Sequence, residues 1–272
     1  MIKTRFAPSP TGWLHIGGVR TALFSWLYAK SQGGEFCIRI DDTDTTRSTQ
    51  DFCDSIINAL KSLGLNSDRE LVYQSKRFDY YIDQIELLLN QGHAYYDKAE
   101  VTDKTKDTNL DIQYKNRLNK PDQVIRFKNP RDQKIILKDL VHDDITFDPK
   151  TFHDVVILRS NGIPTYNLTS VVDDADMGIT HIIRGDDHLS NTAVQINLFN
   201  AFGYKIPVFG HLPMIHGVDG KRLSKRHGAV NINSFLSDGY LVEALINYLV
   251  KTGWSHGDDE FFTLDELLKL FT

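Results

Sequence analysis

The sequence predicts an α/β protein: a doubly wound parallel sheet with a β-rich segment inserted into it. Three observations predict it. Short runs that alternate apolar and polar residues take turns with longer runs of helical spacing at both ends of the chain. That rhythm gives way to alternation alone between about residues 95 and 165, and Pro or Gly punctuates the run boundaries. Strand and helix in turn imply parallel pairing, because the crossover that returns the chain to the same end of a sheet is usually a helix. Ligands of such sheets bind outside the carboxyl ends of the strands, where the strand order reverses.

Residues 2–7 read as a first strand, ended by Pro8 and Pro10, neither of which can donate to a ladder. From Ile16 the apolar positions Val19, Ala22, Leu23, Trp26 and Leu27 recur at helical spacing, and Gly33 and Gly34 supply the stop. EFCIRI at 35–40 alternates Phe36, Ile38 and Ile40 and predicts a second strand. Ser48 and Thr49 are candidate caps for a helix carrying Phe52, Ile56, Leu60 and Leu63, and residues 77–92 predict another helix. A polar stretch, VTDKTKDTNLD, then leads into alternating runs, VIRFK, KIILKDLVHDDITF and DVVILR, that predict the inserted strands. The first rhythm resumes with a strand at 180–185, a helix from Ser190 to Ala201, a strand in PVFGHLPMI, a Gly- and Lys/Arg-rich loop, and a helix from about Asn233 to Lys251.

Composition narrows the function classes. The chain is 272 residues long, 41% hydrophobic and 25% charged, which is ordinary for a globular protein and excludes disorder. A formal charge of −5 argues against non-specific coating of nucleic acid while leaving room for a local cationic site. Cys37 and Cys53 are the only cysteines and cannot form a Cys-rich metal site or a disulfide framework. No apolar stretch approaches the roughly 18 residues of a membrane span, and no charged leader precedes the first strand. The expectation is a cytoplasmic protein with no membrane partner.

Three segments carry candidate chemistry. In HIGG, Gly17 and Gly18 remove side chains where a helix begins, so a ligand can approach backbone N–H groups that favour phosphate oxygens, and His15 sits beside it. Taken alone, a histidine next to glycines also fits a purely structural turn. KRLSKRHG at 221–228 sets Lys221, Arg222, Lys225 and Arg226 after a turn; in isolation it reads more often as a solvated charge run than as a cationic loop, but together with His15 it could reach a nucleotide's outer phosphates. RIDDTDTTR at 39–47 places carboxylates just after the second strand, either as a solvated, capping turn or as partners for a substrate ammonium; its spacing does not complete a Ca²⁺ loop.

These segments in this order, with GIPTYNLTSVVDDADMGITHIIRGDDHLSNT ahead of KRLSK, resemble the class I aminoacyl-tRNA synthetases. HIGG is similar to that class's HIGH signature and KRLSK to its KMSKS signature. TRFAPSPTG, RIDDTD, PTYN and HIIRGDDH look like motifs of the glutamyl-tRNA synthetase family in its bacterial or organellar form. The resemblance covers essentially the whole chain, most weakly from 95 to 135. It implies a Rossmann-like catalytic domain in two halves (1–76 and 165–228), an inserted acceptor-binding domain at 77–164, and the start of a helical stem-contact domain at 229–272. The implied reaction joins L-glutamate to tRNA(Glu) through a glutamyl-adenylate, consuming ATP with Mg²⁺, and no side-chain nucleophile is needed because the substrate carboxylate is already an anion.

Carried onto this sequence, the resemblance makes His15, Ser224 and Lys225 catalytic and sets Gly17, Gly18, Asp187 and Leu223 with them against the nucleotide. Arg5, Ala7, Ser9, Asp41, Tyr166 and Arg184 become the glutamate pocket, with Asp41 on the α-ammonium and Arg5, Tyr166 and Arg184 at the carboxylate end. Asp41 stands where many family members have Glu and where the related glutaminyl enzymes have Asp. Arg184 points the other way, since a guanidinium matches a γ-carboxylate and is left unpaired by an amide. The competing reading of Arg184 is a surface ion pair with Asp186 or Asp187. Lys115, Arg117, Lys120 and Arg126 either follow acceptor-stem phosphates or form a solvated face. Zinc-bearing relatives place cysteines where HAYYDKAE stands here, so no zinc is expected. The family continues into helical anticodon-reading domains, so ELLKLFT is expected to lie inside a longer protein, and a monomer is expected. Two other readings are a glutamyl-queuosine tRNA(Asp) synthetase paralogue and a non-catalytic tRNA-binding relative. The resemblance of KTGWSHGDDEFFTLDELLKLF and of KRLSKRHG to the full-length ligase, and the intact His15 and Lys225, weigh against them.

Overall fold

The computed structural model of the chain describes residues 1–44, 46–99, 114–217, 219–220 and 231–271. Strand β1 (Lys3–Phe6) leads through Pro8 and Pro10 into helix α1 (Ile16–Ser31), and β2 (Glu35–Ile40) returns parallel to β1, with Lys3 opposite Glu35 and Phe6 opposite Ile38. Val19, Ala22, Leu23, Phe24, Trp26 and Leu27 are all buried, so this helix is wrapped by protein rather than presenting one stripe. It stops at Gln32 and Gly33, the latter at φ +63, a left-handed conformation natural for glycine. Helix α2 (Gln50–Ser62) follows, and of the two candidate caps it uses Thr49, whose side chain accepts from the Phe52 N–H. The two-residue strand β3 (Val72–Tyr73) completes that side of the sheet, and α3 (Phe78–Asn90) leads away from it.

The inserted segment is β-rich. Strands β4 (Ala94–Lys98), β5 (Gln123–Phe127) and β8 (Val155–Leu158) form an antiparallel sheet, while β6 (Ile135–Leu137) and β7 (Ile145–Phe147) make a separate hairpin. The chain then enters α4 (Tyr166–Asp176), β9 (His181–Gly185), α5 (Leu189–Phe202) and β10 (Val208–Leu212). Alternation does not predict α4, because the helix buries Thr169, Ser170, Asp173 and Asp174 alongside its apolar residues.

The main sheet is parallel throughout, in the order β10-β9-β1-β2-β3. Strand β1 is therefore the point at which the winding reverses, with β2 on one side and β9 on the other. One apolar core gathers α1, α2 and the C-terminal helices; a second gathers α3, the inserted strands, α4, α5, β9 and β10. The single helix expected from Asn233 to Lys251 is two: α6 (Ile232–Ser237) and α7 (Val242–Lys251). Gly239, at φ +87, takes the left-handed conformation that ends the first before the second can begin. A last helix, α8 (Leu264–Leu270), starts with a reciprocal cap between Thr263 and Glu266.

Candidate active site

A cavity of about 260 Å³ opens at the carboxyl ends of β1 and β9, on the two sides of the strand-order reversal. Its wall includes Arg5, Ala7 and Ser9 from the end of β1, His15, Gly17 and Gly18 from the start of α1, and Asp41 after β2. Tyr166 from α4 and Arg184 and Asp187 from the end of β9 complete the set. Ten residues singled out in the sequence thus meet at one place, although they are spread over 183 positions of chain. Leu223, Ser224 and Lys225 lie outside the described residues. Met214 and Ile215, which precede that segment, line the cavity, and Asn231, which follows it, is bridged to His15.

His15 does local work that its motif did not announce. It is the N-cap of α1: its Nδ1 accepts from the Gly18 N–H at 3.1 Å, where Ser, Thr, Asp or Asn is the usual choice. The neutral ring consequently carries its proton on Nε2, which makes it a donor for an anion at the helix start. Gly17 serves the same arrangement, since a Cβ there would stand 3.2 Å from Nδ1 and crowd the imidazole. A Cβ on Gly185 would come within 2.6 Å of the Asp187 carboxylate, so that glycine lets the side chain fold back beside the strand end.

Behind the cavity lies a buried ionic network that alternation and motif spacing did not reveal. Arg39, fully buried, holds both carboxylate oxygens of Asp41 (2.6 and 3.2 Å) and one of Asp174 (2.7 Å). Arg5 grips Asp174 through two donors, at 2.9 and 3.2 Å. Asp173 accepts from Gln74, Arg77 and Tyr81. Arg5 therefore reaches the cavity already neutralised, and Asp41 reaches it already paired. The two carboxylates around Arg39 respond differently. Burial outweighs the pull of one guanidinium on Asp41 and pushes its carboxyl up to about 6, whereas two guanidinia hold Asp174 below the usual range. Arg39 and Asp174 were visible in the sequence, in RIDD and VVDDAD, but nothing there said that they face each other.

Arg184 is partnered in another way. It is 5% exposed, and its guanidinium donates to Thr192 (2.7 Å), Gln195 (2.8 Å), His211 (3.2 Å) and the Tyr166 hydroxyl (3.4 Å). Every one of these acceptors is a neutral side chain, and among the described residues no carboxylate pairs with Arg184. The alternative of a surface pair with Asp186 or Asp187 is overturned: the side chain points into the protein. Burial lowers its affinity for its own proton without removing the charge. Tyr166 is steadied from the far side by His188, whose pKa burial drives down to about 4. Three of the four basic residues of the insert have partners among the described residues: Arg117 is paired with Asp83 and Glu86, Arg126 with Asp97, and Lys120 lies over the Tyr96 ring, while Lys115 is exposed.

The family model described as "tRNA synthetases class I (E and Q), catalytic domain" matches residues 1–272. Glutamate–tRNA ligase 1 of Alkalilimnicola ehrlichii is 51% identical over 99% of this chain and 60% of its own length. The glutamate–tRNA ligase of Francisella tularensis subsp. novicida is 50% identical over 100% and 61%. The chain thus spans about three fifths of the length of these curated relatives. Among solved structures, glutamate–tRNA synthetase from Elizabethkingia anophelis superposes with TM-score 0.86 at 33% identity, covering 100% of this chain and 66% of that one. A glutamate–tRNA ligase from Elizabethkingia meningosepticum, solved with its amino acid, gives 0.85 at 33% identity, covering 100% and 64%. A methionyl-tRNA synthetase from Mycobacterium tuberculosis, at 0.61 and 11% identity, covers 92% and 64% and shares the fold alone. With its matching family model and curated relatives at about 50% identity, this chain belongs to the class I tRNA synthetases of the glutamyl and glutaminyl kind and carries their catalytic domain.

Proposed function

We propose that this chain is the activating part of a glutamate–tRNA ligase. A carboxylate oxygen of glutamate attacks the α-phosphorus of ATP and the bond to the leaving pyrophosphate breaks; a ribose hydroxyl of the terminal adenosine of tRNA(Glu) then attacks the acyl carbon of the glutamyl-adenylate, the acyl–phosphate bond breaks, and AMP leaves. The observation that carries this reading is Arg184: a buried guanidinium at the cavity wall, whose hydrogen-bond partners among the described residues are all neutral, leaves its charge to be met by a ligand's carboxylate. A site that buries such a group rejects a ligand lacking the matching one by about 10⁴- to 10⁵-fold, which favours glutamate over glutamine.

The remaining roles are those the family resemblance implies, and the shared cavity supports them. Asp41 and Ser9 receive the α-ammonium; Arg5, Ala7 and Tyr166 complete the amino-acid side of the pocket. The start of α1, with Gly17, Gly18, the Nε2–H of His15 and Asp187, receives the nucleotide, and Ser224, Lys225 and Leu223 are assigned to the same nucleotide from their motif. Chemistry then rests on orientation and on stabilising the charge that develops as pyrophosphate departs. Mg²⁺ belongs in this reading to the phosphates of ATP, where it supplies charge neutralisation. Among the described residues no group of three or more His, Cys, Asp or Glu side chains gathers as a resident metal site. The divisions 1–76 with 165–228, 77–164 and 229–272 are proposed as catalytic halves, acceptor-binding insert and start of the stem-contact domain. A monomeric, cytoplasmic protein goes with the reading; among the described residues no helix is long and apolar enough to cross a membrane.

Titration with non-hydrolysable glutamyl- and glutaminyl-adenylate analogues tests the proposal. Preference for the glutamyl analogue is the expected result; equal affinity for both, or none for either, refutes it. Charging of purified tRNA(Glu) with labelled glutamate against glutamine extends the test to the second step. The queuosine-paralogue alternative is not favoured, because the curated relatives named above are glutamate–tRNA ligases.

A further inference from the structure

Arg184 is itself held by a residue that neither the motifs nor the proposed reaction assigns. His211, on β10, is fully buried and makes three polar contacts: Nδ1 to the Asp139 carboxylate at 2.6 Å, and Nε2 to Arg184 Nε at 3.2 Å and to the Thr192 hydroxyl at 3.0 Å. An arginine nitrogen can only donate, so Nε2 must be an unprotonated acceptor, and the ring proton must sit on Nδ1, facing Asp139. Asp139 is built to impose that choice. Its Oδ1 accepts the backbone N–H groups of Val141, His142 and His211 (3.0, 3.2 and 3.1 Å), and its Oδ2 remains for the imidazole.

Asp139 does not come from the sheet that carries Arg184. It lies in the inserted segment, in the loop between β6 and β7, and the next residue, Leu140, donates its N–H to the Phe209 carbonyl of β10. A carboxylate, an imidazole and a guanidinium thus run in line from the insert to the cavity wall.

We infer that His211 and Asp139 are positioning residues for the acidic end of the amino acid: Asp139 fixes the imidazole tautomer, and Nε2 fixes the plane of Arg184. Both partners of the arginine on this side are neutral or distant, so the orientation is set without consuming the charge that recognises the ligand. Desolvation and the Arg184 cation together hold His211 neutral, in keeping with the acceptor role. The inference rests on the proposed pocket and adds to it a residue pair outside the ligand's reach.

Asp139→Asn is the informative change. It is isosteric and keeps a carbonyl oxygen for the three backbone donors, but its amide donates toward Nδ1. The imidazole must then carry its proton on Nε2, against the Arg184 donor. His211→Asn keeps a partner for Asp139 and loses the reach to Arg184; His211→Gln restores an acceptor at about that reach. The expected result is that Asp139→Asn and His211→Asn weaken the glutamyl-adenylate analogue about 10- to 100-fold, the range for a lost hydrogen bond to a charged group, and leave the glutaminyl analogue near its wild-type affinity. His211→Gln should recover part of the loss, and the ring nitrogen shifts of His211 should report the exchanged tautomer in Asp139→Asn. If both variants keep the wild-type ratio between analogues, or lose both analogues equally, the positioning role is wrong. A wild-type chain that shows no preference refutes the pocket assignment itself, which is a separate outcome.

Discussion

Two kinds of buried arginine stand around this cavity. Arg39 is enclosed by carboxylates, bonded to Asp41 and Asp174 with Asp173 at 3.7 Å, while Arg184 is enclosed by hydroxyl, amide and imidazole groups. Burial is the same to within a few per cent, at 0% and 5% exposure, so burial does not distinguish them. The difference is whether the protein itself balances the charge. Where it does, the guanidinium ties three elements together, β2, α4 and, through Asp174, β1. Where it does not, the guanidinium is oriented by neutral acceptors and its charge is directed at whatever enters. Arg5 belongs with Arg39: it lines the cavity, but Asp174 already takes two of its donors.

The contrast can be broken experimentally. Arg184→Met should abolish the preference between glutamyl- and glutaminyl-adenylate analogues, bringing a ratio of about 10⁴ or more toward unity. It should leave stability to urea within about 1 kcal/mol or raise it, because an uncompensated buried charge is removed rather than created. Arg39→Met should do the opposite, costing about 3–5 kcal/mol in the same denaturation experiment, since two buried carboxylates lose a shared partner. A destabilised Arg184→Met with a stable Arg39→Met would invert the assignment of roles.

A smaller effect concerns pH. The Asp41 carboxyl titrates at about 6, above its ordinary value, so the folded state binds that proton more tightly than the unfolded chain. Its contribution to stability is therefore present below about pH 4 and lost as pH rises through 6. The proposed capture of an α-ammonium by Asp41 has the reverse sign, because it needs the ionised carboxylate. Analogue affinity should fall by up to about tenfold per pH unit below 6, and Asp41→Asn should flatten that profile. Arg39, Arg5, Asp173 and Asp174 face Asp41, and His188, with a pKa of about 4, is silent in this window. The smallest expected change is in stability on replacing His15. His15→Asn keeps a capping oxygen and should shift stability by less than about 1 kcal/mol, while removing the Nε2–H donor and slowing adenylate formation by about 10²- to 10³-fold. Unchanged turnover would reduce His15 to a cap.

The legibility of this molecule divides along similar lines. Most strands, α1 to α3 and α5 announce themselves through period, proline and glycine, because each buries an apolar face that alternation or helical spacing encodes; the two-residue β3 and the polar β4 do not, since neither carries an alternating apolar run. Helix α4 does not, because Asp173 and Asp174 occupy its buried face and look in the sequence like solvent-facing residues. The division of the C-terminal helix at Gly239 is hidden for a related reason: the apolar spacing continues across the break, and only the backbone conformation shows it. The motifs located ten cavity residues. They said nothing of Asp139 or His211, which come from segments 72 positions apart and acquire meaning only from each other.

By itself the amino-acid order determined the α/β class, the inserted β segment and the anion-favouring start of α1, because each is a local property of spacing and side-chain type; the candidate pocket residues came from the resemblance of the motifs to a family, not from spacing. Which charges cancel within the protein and which remain for a ligand was decided by the tertiary structure alone. That outcome depends on distances of a few ångströms between side chains up to 169 residues apart, and on the loss of water around them, neither of which is written in any short stretch of chain.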